Sequence, residues 1–385
     1  MTEPTASTPR DDLPLSGFRV VEFSQMVAAP SAALLLADYG AEVIKIEPPG
    51  GDNVRLLRSQ VATDLPVSPV FLGYNRGKRL IRLDLRDPDQ LNEAKRLIEG
   101  ADVMIESSRP GAMTRLGLGP DAMRALNPRL VYASISGFGW TASTIDKRGV
   151  DLIVQAESGI MSLTGPAEQP MKVGFTMVDA ASGHALCHGI LAALLRRERK
   201  GSGEHVQVSL YDVALHLQTG PLAEFQMTGH QAPRSGNSAP LAAPADLLRC
   251  GDGAIVISAY LDAHWLRFVE AIGGAQLATD PRFASGPSRI DNRTELIAEL
   301  ESLLAAQSAA HWEEKLAAEG LLVGQVKDHA QVCDSPYTLE SNALASGGEL
   351  PGVHNPAQLE CTTREGFAAP TECSAQDIDW LTDGA

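Results

Sequence analysis

Within this 385-residue sequence, one carboxylate stands in a setting that suits chemistry, in the stretch Val178-Asp179-Ala-Ala-Ser-Gly183 ahead of a long run at helical spacing. A carboxylate at a helix start meets the positive end of the helix dipole and unpaired N–H groups, which hold it ionised. In that state it can attack a carbonyl carbon without first losing a proton. The small neighbours Ala180, Ala181, Ser182 and Gly183 leave room for a substrate. Aspartate is also a favoured helix N-cap, and the structural and chemical readings are compatible.

Basic side chains form a second group. Arg76, Lys78, Arg79, Arg82 and Arg86 are opposed only by Asp84, and Arg109, Arg115, Lys147 and Arg148 follow. They fall at the ends of successive predicted strands, the edge where open α/β sheets bind ligands. In a chain of formal charge −16 such a set fits a phosphorylated, multiply anionic ligand, while the overall acidity opposes nucleic acid. The stretch Gly73-Tyr-Asn-Arg-Gly77-Lys78 is not a nucleotide-triphosphate loop, because its spacing is wrong and Arg79 replaces the magnesium-binding hydroxyl residue. Met26-Val-Ala-Ala-Pro30 takes the place of a glycine-rich dinucleotide turn. His184 and His188 share a helical face but lack a following glutamate and a third ligand, so they read as packed helix residues and no metal site is expected. Five cysteines with no Cys-x-x-Cys read as reduced thiols.

The elements that position these groups begin with a strand at 18–24, a helix at 30–39 opened by Pro30 and closed by Gly40, and a strand at 42–47. Alternation continues with a strand at 80–85, a helix at 88–98, a strand at 103–106, a helix at 120–126 and a strand at 130–136, which argues a parallel sheet flanked by helices. A long helix at 180–199 ends in Arg196, Arg197, Arg199 and Lys200 before Gly201. A strand at 205–210 and a helix from Tyr211 follow. The fold class is therefore α/β: a Rossmann-like large domain at 15–225, a linker at 226–245, a smaller α+β domain at 246–334, and a C-terminal segment at 335–385 that returns to the large domain. Residues 1–14 carry no basic start or apolar stretch and are expected to be disordered, with the cytoplasm as the location. The apolar stretches 26–37 and 185–195 fall short of the ~18 residues a membrane span needs, so no membrane partner is expected.

Ordered stretches of the chain resemble the class III CoA-transferases, the family of formyl-CoA transferase and carnitine CoA-transferase that also contains α-methylacyl-CoA racemase. They include Val20-Val-Glu-Phe-Ser24, Leu36-Ala-Asp-Tyr-Gly-Ala-Glu-Val-Ile-Lys-Ile-Glu-Pro48, Asn75-Arg-Gly-Lys-Arg79, Arg109-Pro-Gly111, Arg115-Leu-Gly-Leu-Gly119 and Asp151-Leu-Ile-Val-Gln155. The resemblance implies ring-shaped protomers interlocked as a homodimer, with acyl-CoA and a carboxylic acid as substrates. It also implies that no cofactor is bound permanently, coenzyme A entering as part of the substrate. The family nucleophile falls on Asp179. Family contacts to CoA fall on Gln25, Met26 and Ala28, on Leu83 and Arg86, on Ser107, Ser108 and Arg109, and on Arg115 and Arg148. Ser107 and Ser108 replace the family's Asn-Phe pair, and neither the glycine-rich flap nor the C-terminal Leu-Gly-Glu-His-Thr motif is present. The racemase branch pairs the aspartate with a histidine where this chain has Val150, so a two-base proton exchange is disfavoured. The remaining alternatives are CoA transfer between two carboxyls of one acid and a CoA-binding protein without turnover.

Overall fold

The computed structural model describes residues 12–57, 65–345, 347–378 and 380; the expected disordered start lies outside them except for residues 12–14. The chain divides into two compact units. The larger comprises residues up to Ile160, Val173–Gly229 and Pro336 onward, and the smaller comprises Met161–Lys172 and His230–Ser335.

The larger unit is built on seven strands: β1 (Arg19–Phe23), β2 (Glu42–Glu47), β3 (Arg79–Arg82), β4 (Val103–Glu106), β5 (Val131–Ser136), β6 (His205–Ser209) and β10 (Thr371–Glu372), with three further strands in the smaller unit. The seven are parallel, in the order β10-β3-β2-β1-β4-β5-β6. The helices of this unit include α1 (Ala28–Asp38), α2 (Pro69–Asn75), α3 (Pro88–Glu99), α4 (Ala112–Arg115), α5 (Pro120–Leu126), α6 (Asp151–Glu157), α8 (Met177–Lys200), α9 (Leu210–Leu217) and α10 (Thr219–Thr228); α7 (Ile160–Leu163) is a single turn at its boundary. Alternate side chains of each strand point to opposite faces. Val20, Val43, Val103, Val131 and Ala133 bury against α1 and α8 on one side, and Val21, Ile44, Ile81, Met104 and Tyr132 bury against Ala94, Leu97 and Ile98 of α3 on the other. Strands covered on both faces account for the near-continuous apolar runs in the sequence.

Two features of α8 differ from the sequence reading. It starts at Met177 with Thr176 as its N-cap residue, so Asp179 sits in the first turn and is not the cap. It is also long and apolar enough to cross a membrane by length and composition, yet Leu186, Cys187, Ile190, Ala193 and Leu194 are buried in the core beside the sheet. It is the central packing helix of this unit.

The smaller unit holds an antiparallel sheet of β7 (Ala245–Arg249), β8 (Ala254–Ser258) and β9 (Leu322–Gln325). Its core is formed by Trp265 and Phe268 of α11 (Asp262–Ala271), Leu296, Leu300 and Leu304 of α13 (Arg293–Leu304), and Trp312 and Leu316 of α14 (Ala309–Ala318). The short helix α12 (Gly286–Asp291) carries Arg289, buried and donating to the carbonyls of Ala243 and Phe283.

Candidate active site

The close approach of α1 and α8 sets the position of Asp179. A Cβ at Gly183 would lie 1.7 Å from Ser31 Oγ and 2.7 Å from the Ala28 carbonyl oxygen, so only glycine permits this contact. Residues i and i+4 share a helix face. Asp179, one turn before Gly183, therefore faces the start of α1 and the β1–α1 turn.

The N–H groups at the start of α8 are already taken. Asp151 Oδ1 accepts from Val178 N–H at 2.8 Å and from Asp179 N–H at 3.2 Å. The Met177 and Ala180 N–H groups donate to the carbonyls of Phe175 and Thr176. Asp151, buried on α6, thus acts as the cap that sequence reasoning assigned to Asp179. Gln155, one turn further along α6, donates to Asp151 Oδ2 at 2.5 Å and accepts from Val173 N–H at 2.9 Å. The pair pins the segment that leads into α8.

Asp179 is half-buried, and no hydrogen-bond donor to its carboxyl is found among the described residues. Burial, then the negative charge of Asp151, push it up from 3.8 to about 7. This corrects the expectation that the helix start keeps it ionised. The N–H groups that would do so belong to Asp151, and an unsolvated carboxyl with a like charge nearby favours its proton. Sequence reasoning missed Tyr74, because only the flanking glycines and lysine drew attention. Its hydroxyl is pushed up by burial and by the charge of Asp179, with nearby Thr176 opposing the shift.

Across the contact, α1 has no side-chain cap. The N–H groups of Ala28 and Ala29 have no acceptor among the described residues, and Pro30 has no N–H to offer. The preceding Met26 adopts φ 69°, a left-handed conformation unusual for a residue with a side chain. Its N–H is held by Asp52 Oδ1 at 3.3 Å. Asp52 belongs to a buried network in which Lys45 Nζ donates to Asp52 at 2.8 Å and to Glu22 at 3.4 Å. Lys78 Nζ donates to Glu22 at 2.8 Å, to the Pro30 carbonyl at 3.0 Å and to Asn75 at 3.2 Å. Two carboxylates and two ammonium groups balance, and Lys78 joins β1, α1 and α2 at one point. Burial pulls the Lys78 ammonium down to about 8 against the attraction of Glu22.

The predicted CoA contacts divide into two sets. Gln25, Leu83, Arg86 and Ser108 line a cavity of about 300 Å³ at the carboxyl ends of β1, β2, β3 and β4. Ser107 Oγ accepts from Gln25 N–H at 3.3 Å, which ties the β4 loop to the β1–α1 turn at Met26 and Ala28. Arg109, Arg115 and Arg148 are exposed and form no ion pair among the described residues, although Arg109 lines a smaller neighbouring cavity of about 150 Å³. Asp179 lines neither of these cavities.

The cluster read as a phosphate-binding set is neutralised from within. Arg76 pairs with Asp38, Lys78 with Glu22, Arg79 with Glu42, Arg82 with Glu372 and Arg86 with Asp84. Apart from Asp84, these partners lie on other elements, where spacing in sequence could not reveal them. Arg86 remains at the cavity, its side chain 85% exposed. His184 and His188, expected to pack inside the helix, are exposed, because α8 turns its Leu186 and Cys187 side inward. Among the described residues no group of His, Cys, Asp and Glu could hold a metal ion.

Residues 15–371 match the profile of CoA-transferase family III. A probable fatty acyl-CoA transferase of Mycobacterium tuberculosis is 41% identical over 87% of this chain and 88% of its own. An acetyl-CoA:oxalate CoA-transferase of Acetobacter aceti is 38% identical over 93% of this chain and 92% of its own. The crystal structure of a CaiB/BaiF family protein from Brucella suis superposes with a TM-score of 0.86 at 29% identity, covering 94% of this chain and 97% of the other. With that match running through both the turn at Met26 and the helix that carries Asp179, the chain belongs to CoA-transferase family III.

Proposed function

We propose that this enzyme moves coenzyme A from an acyl-CoA thioester to a carboxylic acid through covalent intermediates on Asp179. A carboxylate oxygen of Asp179 attacks the thioester carbonyl, and the C–S bond breaks to release CoA thiolate and leave a mixed anhydride. The thiolate attacks the Asp179 carbonyl of the anhydride, which frees the donor acid and forms an aspartyl-CoA thioester. The acceptor carboxylate attacks that thioester and expels the thiolate again. Thiolate then attacks the acceptor carbonyl of the second anhydride, forming the new acyl-CoA and restoring Asp179.

The observation that carries this reading is the Asp179 carboxyl, short of donors and pushed up to about 7, facing the uncapped start of α1. A carboxylate of raised basicity is a better nucleophile, and the missing donors leave its lone pairs unencumbered. The N–H groups of Ala28 and Ala29 are suited to a developing oxyanion, since charge forming there meets donors already oriented. Gln25, Met26, Ala28, Leu83, Arg86, Ser107, Ser108 and Arg109 are the proposed path of CoA, with Arg115 and Arg148 as exposed partners for its phosphates. Relatives named for oxalate, D-citramalate and glutarate support small carboxylates as acceptors. We take the enzyme to be a cytoplasmic homodimer. Val150, exposed beside Asp151, supplies no second base for racemisation.

Hydroxylamine added during turnover with succinyl-CoA and an acceptor acid tests the covalent route. The expected result is a hydroxamate on the peptide containing Asp179, found by mass spectrometry and dependent on acyl-CoA. An unmodified peptide in an enzyme that turns over and is inactivated would refute it.

A further inference from the structure

Glu106 is the last residue of β4 and follows Val103, Met104 and Ile105, all of them buried like Glu106 itself. A carboxyl is costly in such a place, since burial disfavours its charge, and Glu106 forms no ion pair among the described residues. Burial pushes its pKa up, with Ser134, directly opposite on β5, and Ser108 opposing the shift. An apolar side chain would serve the packing of this strand at least as well. What the acid adds is a hydrogen-bond acceptor.

The chain leaves the sheet immediately after Glu106. Ser107 N–H still meets β1, donating to the Phe23 carbonyl at 3.3 Å. The next N–H, that of Ser108, donates instead to Glu106 Oε2 at 2.8 Å. The Arg109 carbonyl then accepts from Ala112 N–H at 2.9 Å, where α4 begins. The carboxyl therefore sets the direction of the turn Ser107-Ser108-Arg109. The turn is braced on one side by Ser107 Oγ, which holds Gln25 N–H, while Gln25 Oε1 accepts from Asn53 Nδ2 at 3.0 Å. Behind Glu106, Ser134 Oγ lies 3.0 Å from His205 Nε2 of β6.

The same short stretch borders both cavities at this end of the sheet. Ser108 lines the larger one with Gln25, Leu83 and Arg86. Glu106 and Arg109 line the smaller one. A polar turn without such an anchor would sample many shapes, and a ligand would have to order it on binding.

We propose that Glu106 is a positioning residue for the CoA thioester: by accepting from Ser108 N–H, its carboxyl holds the turn Ser107-Ser108-Arg109 in the shape that CoA meets. The inference rests on the path of CoA proposed above, and Glu106 acts through Ser108.

The test compares the full-length wild type with Glu106→Met, which keeps the bulk of the side chain and removes the acceptor, and with Glu106→Gln, which keeps an oxygen for Ser108 N–H. Steady-state kinetics with succinyl-CoA and an acceptor acid are read beside calorimetric titration with CoA. In Glu106→Met, the KM for succinyl-CoA and the Kd for CoA should both rise at least about tenfold, while kcat falls less than about threefold. Glu106→Gln should recover most of the lost affinity. A merely structural role would instead lower kcat and the melting temperature at an unchanged KM, and that result would overturn the proposal. Arg86→Ala separates this inference from the path it rests on. If Arg86→Ala raises the KM for succinyl-CoA and Glu106→Met does not, CoA follows the path but Glu106 does not position it; if neither raises it, the path fails and the proposal with it. Hydrogen exchange of the wild type without CoA is a check that needs no variant. The Ser108 N–H should be protected, and exchange at the rate of an unstructured chain would refute the anchor.

Discussion

Asp179→Asn separates the chemical role of this side chain from its effect on stability. In the unfolded chain the carboxyl releases its proton near 3.8, whereas in the folded enzyme it does so at about 7. Below the lower value both states are protonated and the group has no net effect. Between the two, the folded chain keeps a proton that the unfolded chain has lost, so stability falls as pH rises; above about 7 the loss is complete. The difference of about three units corresponds to at most about 4 kcal/mol at about 1.36 kcal/mol per unit. Partial contact with water reduces this to roughly 1–3 kcal/mol. An uncharged amide escapes the penalty. The Asp179→Asn substitution should therefore raise the melting temperature at pH 8 by several degrees, at roughly 2–4 °C per kcal/mol, while its advantage shrinks toward zero near pH 4. Turnover of acyl-CoA to a new CoA ester, followed by chromatography, should vanish. Thermal unfolding of both proteins from pH 4 to 8.5 is the assay. A difference that does not change with pH, or a less stable variant at pH 8, would refute the account of Asp179 as a destabilised carboxylate.

The same carboxyl must be ionised to attack, so kcat/KM should climb with pH to a plateau above about 7. Asp151→Asn removes the like charge and should move the midpoint to lower pH, which a pH–rate profile reads directly; an unmoved midpoint leaves burial as the sole cause. Gly183→Ala places a methyl where Ser31 Oγ and the Ala28 carbonyl already stand and should cost about 1–3 kcal/mol or more in urea unfolding, with activity falling further than stability because the Asp179–α1 spacing changes. Lys78→Met leaves the buried carboxylates of Glu22 and Asp52 with Lys45 as their one ammonium partner, and a loss of about 3–5 kcal/mol is expected by the same measurement; a neutral result would show that the network is not held by the Lys78–Glu22 pair.

The parallel sheet was legible because its strands are buried on both faces and its helices carry their own boundary signals. Glu42–Glu47 and Val103–Glu106 match the expected strands, and Pro88 and Pro120 open helices as read. Strand β9, the two-residue β10 and helix α2 were not foreseen. Leu322–Gln325 contains a glycine and shows no alternation, β10 pairs over only two residues, and α2 is capped by Ser68 and opened by Pro69 within a stretch whose glycines suggested a loop. Helix α8 was found, but its start was placed late because Asp179 is the stronger capping residue type, whereas the actual N-cap residue Thr176 makes no side-chain cap hydrogen bond. Its cap is Asp151, 27 residues earlier in the chain than Val178.

That displaced cap also explains why sequence reasoning gave Asp179 the wrong electrostatics. A helix start stabilises an anion only through N–H groups that are still free. Here one carboxylate, Asp151, takes two of them and leaves the other, Asp179, with its field and without its donors. Two acids thus stand at one helix end in unlike settings: Asp151 accepts the backbone N–H groups, and Asp179, without donors, is pushed up to about 7. The free N–H groups stand instead at α1, across the contact that Gly183 makes possible. In the proposed mechanism nucleophile and oxyanion donors therefore come from different helices, with the approach of those helices set by a single missing Cβ. This arrangement makes the geometry of the α1–α8 contact a determinant of rate independent of the ionisation of Asp179.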